Sequence, residues 1–191
     1  ILLVMALGMA IAYLSVRRRN ALSSLLDMVT MFPMIISGTI MGIMLLLTFN
    51  HKPLMLSGTA AIMIISFVIR RMPYTIRSSS AILRQMSPVV EEASVSLGYT
   101  PMQTFWKVTC PLMMSGVFSG LILSWNTIIQ ELSSSVILYT GSTATMSVSV
   151  YTEVSRNNYG IASALASVLT VTVVVSLLIF FKLSGKKQLS L

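Results

Sequence analysis

Four oxygen-bearing side chains late in the chain, Glu131, Tyr139, Tyr151 and Glu153, carry the hard donor chemistry that suits a hard metal ion. A second reading stays open: Glu131 caps a helix or pairs with a neighbouring one, and the tyrosines anchor at a membrane interface. Glu131 stands at the end of an apolar run, where a carboxylate costs less than the roughly 2.5 to 3.5 kcal/mol expected at mid-bilayer. His51 is the only histidine and falls in a short turn, so a histidine-based metal site is not expected. Cys110 has no partner for a disulfide and reads as a small packing residue. Catalysis would need an acid pair, a metal motif or a nucleophile with its base. The lone Asp27 and the absence of H-E-x-x-H, G-x-S-x-G and G-x-x-x-x-G-K-[ST] patterns leave neither a hydrolase nor an ATP-binding loop.

The elements that must position these groups are apolar. Fully 55% of the residues are hydrophobic and 9% charged, a composition that points to an integral membrane protein. A bilayer core of about 30 Å needs about 20 apolar residues per helix. Candidate spans run from Ile1 to Val16, Met28 to Phe49, Leu54 to Ile69, Leu112 to Ile129 and Tyr159 to Phe181. The predicted fold is therefore all-α, with about five transmembrane helices in one domain covering residues 1–191. The first span has no initiator Met and no charged leader, so the chain is expected to lack at least one upstream helix.

Lys and Arg collect on the cytosolic side of membrane proteins. Threading five spans puts Arg17, Arg18, Arg19, Arg70, Arg71, Arg77, Arg84, Lys107, Lys182, Lys186 and Lys187 on one face, and Lys52 and Arg156 on the other. The expected topology has the 70–107 loop and the C-terminus in the cytosol, with Asn50–Pro53 and Gln130–Asn158 outward. Topology explains the net charge of +8, since no aromatic-basic surface suggests nucleic acid. Small residues at four-residue spacing, Gly38 and Gly42, Gly116 and Gly120, and Gly160 and Ala164 continued by Ser163 and Ser167, suit close helix packing. That packing is either internal or shared with another membrane subunit.

Between the apolar spans lies a polar segment, residues 87–111, with helix punctuation of its own. Ser87 is a natural N-cap, Pro88 suits the first helical position, and Glu91 and Glu92 fall where the helix dipole favours carboxylates. Gly98 can take positive φ at a helix end, and Thr100, Pro101 and Gln103 form a capping box that opens a second helix. The spacing predicts a helix, tight turn, helix hairpin at the membrane surface, closed by Pro111. Either it merely ties two spans together or it is a handle for a soluble partner.

The run Glu92, Ala93, Ser94, three residues, Gly98, nine residues, Val108, one residue, Cys110, Pro111 resembles the E-A-A loop of binding-protein-dependent ABC transporter permeases. Ser94, Val108 and Cys110 depart from that pattern, which has Ala, Ile and Leu there. Arg70-Arg71-Met72-Pro73-Tyr74 with Arg77, Glu131-Leu132-Ser133 and Leu138-Tyr139-Thr140 are similar to the iron(III)-type members, at their C-terminal part. The resemblance implies an importer permease of the bacterial inner membrane. Its hairpin would dock on a cytosolic ATP-binding subunit dimer through Glu91, Glu92, Ala93, Gly98 and Pro111. The further implied partners are a second permease domain or subunit, a periplasmic or extracellular solute-binding protein and membrane lipid, with no nucleic acid. No cofactor is implied on this chain; ATP and Mg would belong to the partner ATPase. The implied cargo is ferric iron, passing Glu131, Tyr139, Tyr151 and Glu153, with phosphonate, thiamine or polyamine as alternatives. An ion-coupled secondary transporter is the weaker rival, because it would be expected to carry ionisable residues or broken helices at the midplane.

Overall fold

A computed structural model describes residues 1–18 and 20–188, with side chains described as far as residue 182. Arg19, and the side chains of Lys186 and Lys187, which entered the predicted charge asymmetry, lie outside that description. All regular elements among the described residues are helical: α1 (Leu2–Arg17), α2 (Ala21–Ile35), α3 (Gly38–Thr48), α4 (Ala60–Gln85), α5 (Val89–Ser96), α6 (Pro101–Thr104), a π-helical turn (Phe105–Thr109), α7 (Cys110–Ile129), α8 (Ser135–Leu138), α9 (Met146–Ser155) and α10 (Tyr159–Gln188). Two continuous helices are long and apolar enough to cross a bilayer, Pro101–Ile129 and Tyr159–Lys182. The pair α2 and α3 supplies a third candidate, but only as a broken span bent by 109°.

The predicted spans are corrected in three places. Met28–Phe49 is not one helix. Pro33 lies inside α2 and withdraws a backbone donor, and Ser37 adopts an extended conformation with ψ 143 before Gly38 opens α3. The span predicted at Leu54–Ile69 begins at Ala60 and runs on to Gln85, so Arg70, Arg71 and Arg77 stand on a helix and not in a loop. Charge had ended the sequence reading there; buried partners let the helix continue. The predicted second hairpin helix does not stop before Pro111. It is the first part of the helix that becomes α7, because the π-helical turn absorbs the donor that Pro111 lacks.

Contacts divide the chain into two compact units, Ile1–Met31 with Met72–Ser124, and Phe32–Arg71 with Trp125–Leu191. In the first unit α7 packs on α4 through its small residues. A side chain at Gly116 would meet Ile82 and the Ser78 carbonyl, and one at Gly120 would lie 2.6 Å from the Thr75 backbone. Ser78 adds a hydrogen bond to the Gly116 carbonyl, and Val4, Ile76, Leu83, Met113 and Val117 are fully buried. The second unit has its core at Met41, Leu45, Ile62, Met63 and Leu138. There Gly42 admits Ile137, and Gly38 admits Arg70 and Ser133. The third small-residue seam is different: among the described residues nothing comes within 4 Å of a side chain placed at Gly160.

Candidate functional site

The hairpin between α4 and α7 follows the helix signals at Gly98 and Thr100, whereas α5 opens at Val89 with Pro88 in the N-cap position expected for Ser87. Ser87 Oγ accepts from the Val89 N–H at 3.4 Å. At the other end of α5 the Gly98 N–H reaches the Val95 carbonyl (2.9 Å) and the Tyr99 N–H the Ser94 carbonyl (3.2 Å), a paired closure made possible by the glycine's φ of +94°. Thr100 and Gln103 cap one another reciprocally, at 2.9 and 3.3 Å. Ser94 Oγ and Thr104 Oγ1 meet at 3.0 Å inside the turn, and the Lys107 ammonium sits 4.9 Å from the centre of the Tyr99 ring. Ser94 thus stitches one arm of the hairpin to the other, a bond that an alanine at this position would not make.

The two adjacent glutamates separate in role. Glu91 is mostly buried: its Oε1 accepts from Arg17 Nε and from Thr109 Oγ1, each at 3.0 Å, and so ties α5 to the end of α1 and to the π-helical turn. Arg17 also donates to the Met86 carbonyl at 3.3 Å. Glu92, Ala93, Gly98 and Pro111 are exposed, and among the described residues no atom lies within 4 Å of a side chain built on Gly98. Of the predicted docking residues, Glu91 is consumed by an internal brace, while the other four face outward. Leu97, at 83% exposure, crowns the turn. A cavity of about 440 Å³ opens between α1 and the segment from α6 into the π-helical turn, lined by Tyr13, Leu14, Arg18, Met102, Phe105 and Trp106 among others.

In the second predicted group both glutamates are engaged by basic partners. Glu131 is 4% exposed and bonds to Arg70 Nη1 at 2.6 Å and to Arg71 Nη2, with the Ser134 N–H and hydroxyl completing its shell. Glu153 pairs with Arg156 (3.0 Å) and Asn158 (2.8 Å) on the surface. Tyr139 and Tyr151 are exposed, and no three His, Cys, Asp or Glu side chains come together among the described residues. The pairing also corrects the threading, which put Arg70 and Arg71 on the cytosolic face and Glu131 on the opposite one. Groups within hydrogen-bond reach share one depth. The positive-inside rule counts charges in loops, whereas these two arginines are side chains of α4 with a carboxylate to meet. Pairing gives all three groups a partner, and a charge buried without one is too costly to keep.

An all-helical fold with apolar spans, a bent helix pair and a surface hairpin defines a helical membrane protein, and comparison with known proteins gives its class. One match in fold is to the MetNI methionine ABC transporter in its inward-facing conformation, with a TM-score of 0.77 over 97% of this chain and 88% of that one, at 15% identity. Residues 3–188 match the family described as the binding-protein-dependent transport system inner membrane component, and the chain belongs to that family. It is a multi-pass membrane protein. Among its relatives is the ferric transport system permease protein FbpB of Actinobacillus pleuropneumoniae, 33% identical over 174 residues, which are 91% of this chain and 25% of the relative. Another is the molybdate/tungstate transport system permease protein WtpB of Pyrococcus furiosus, 30% identical over 179 residues, 92% of this chain and 67% of the relative. The chain spans a quarter of the length of the ferric permease it matches.

Proposed function

We propose that this chain is the membrane-spanning part of an ATP-driven importer, receiving solute from a binding protein and force from an ATPase on a separate subunit. The observation that carries the reading is the hairpin. It is closed at its tight turn by Gly98 and the Thr100 capping box, stitched by Ser94 and Thr104, and braced by Glu91, yet it presents Glu92, Ala93 and Gly98 outward. A stiff, externally exposed knuckle continuous with α7 is what a motor domain needs in order to move a transmembrane helix. Closure of an ATPase dimer over it would bias the spans between inward-open and outward-open states, provided the dimer binds the two states unequally. ATP and Mg would act on that partner, and a second permease domain would complete the path.

The proposed cargo is ferric iron, supported by the 33% identity to the FbpB relative. A second reading, an oxyanion substrate, draws support from the WtpB relative and from the two arginines that share Glu131. Both readings meet one experiment. The full-length protein is reconstituted in proteoliposomes with the ATPase and binding protein encoded beside it, and uptake of labelled ferric iron and of molybdate is followed with and without ATP. Iron uptake that requires ATP supports the first reading, molybdate uptake the second. Uptake driven by an ion gradient without ATP would reject the importer.

A further inference from the structure

Glu131 answers two guanidinium groups with one carboxylate. The other acidic side chain of its unit, Glu153, is engaged with Arg156. The cluster therefore carries a net positive charge although its side chains are 13, 14 and 4% exposed. Arg70 keeps its Nε buried with no hydrogen-bond partner. The positive end of the 11-residue helix α3 abuts the same side chain, since Gly38, its first residue, packs directly on the Arg70 guanidinium. A buried excess of positive charge is costly unless something negative completes it.

The cavity on which these groups open supplies room for that completion. It measures about 390 Å³ and is lined by Arg70, Arg71, Asn126, Gln130, Glu131 and Ser133 together with Thr127 and Leu132, within the ~300–1,000 Å³ usual for small-ligand sites. Its walls are mostly polar, with amide and hydroxyl donors beside the guanidiniums. Planar guanidinium forks match the oxygens of phosphate-like and carboxylate groups. A bare trivalent cation would meet repulsion here. The helix break before Gly38 places a half-helix N-terminus at the site, an arrangement that receives anionic groups in other membrane carriers.

The geometry points to an oxyanion site between Arg70 and Arg71, taking a tetrahedral or carboxylate anion either free or as the ligand that accompanies a metal ion. The inference rests on the importer reading for its role in transport, but the site can be measured without ATP. Full-length protein in nanodiscs is titrated with inorganic phosphate and, separately, with ferric citrate, against sodium chloride at matched ionic strength, following melting temperature and binding heat. Phosphate raises the melting temperature in the expected outcome. Arg70→Gln weakens binding at least about tenfold, the loss of one charge-assisted contact. Glu131→Gln melts lower in chloride and recovers in phosphate, because the anion takes the place of the missing carboxylate. Gln130→Leu, exposed and outside the ion pairs, weakens binding while melting normally in chloride. Binding of ferric citrate alone would mean that the anion arrives on the metal, and binding of phosphate alone that it arrives free. No shift with either probe, wild-type affinity in Arg70→Gln, or a Glu131→Gln deficit that phosphate leaves unrepaired would overturn the site. ATP-dependent uptake without anion binding removes the site and keeps the importer; binding without uptake does the reverse.

Discussion

Glu91 and Glu92 are neighbours with the same charge, and the physics of their surroundings gives them opposite predicted phenotypes. Glu91→Ala leaves Arg17 and Thr109 without their shared acceptor, so it is expected to lower stability by about 1.5–3 kcal/mol, the usual worth of hydrogen bonds to a charged group. Glu92→Ala trims an exposed side chain and should stay within ~0.5 kcal/mol of wild type, while ATP-coupled uptake falls. Chemical denaturation beside an uptake assay checks both, and a stability loss at Glu92 matching that at Glu91 would contradict the separation. At Gly98 two costs separate. The φ of +94° charges any side chain about 1–2 kcal/mol, whereas open space around the Cβ adds no clash. Gly98→Ala should therefore show the strain alone, and Gly98→Glu should insert normally yet abolish uptake by blocking the docking face. Normal uptake by Gly98→Glu would count against the hairpin as a lever.

Helix continuity governs the elements. The π-helical turn Phe105–Thr109 carries one extra residue between the hairpin and α7, and the Cys110 N–H bonds back to the Phe105 carbonyl. Restoring a donor with Pro111→Leu removes the reason for the bulge. Relaxation to regular α-helix would turn the hairpin about 100° relative to α7, one residue's share of a 3.6-residue turn, and pull Thr109 off Glu91. The expected variant is folded, with little change in melting temperature, and poorly coupled. Spin labels at Leu97 and Leu123 read the rotation as a changed distance; an unchanged distance together with wild-type uptake would show that the turn has another cause. The helix punctuation itself was legible in the sequence, because Thr100 with Gln103 and Gly98 are local signals that need no tertiary partner. Continuity through Pro111 was not legible, since proline in the first turn of α7 reads equally as a stop and as a tolerated start.

For the whole molecule the small-residue seams divide by what covers them. Gly120→Leu would drive a side chain into the Thr75 backbone 2.6 Å away and is expected to prevent folding. Gly160→Leu meets nothing among the described residues and should leave the isolated protein intact, while lowering recovery of the second permease domain in co-purification. Equal recovery would assign the α10 seam to lipid. Orientation is open to a direct check as well: a reporter fused after Leu191 should be cytosolic and one inserted at Lys52 outward, even though Arg70 and Arg71 no longer contribute to the loop asymmetry.

Composition, apolar run length and capping residues determined that this is a helical membrane protein with a surface hairpin, because each acts over a few residues and leaves its mark in local order. Which groups meet across the fold was decided only by tertiary structure. Glu131 lies 61 residues from Arg70 and Glu91 lies 74 from Arg17, and nothing in the intervening sequence specifies such a pairing. The continuation of α4 through two arginines has the same origin: a charged helix persists in apolar surroundings only when another part of the chain supplies the compensating group.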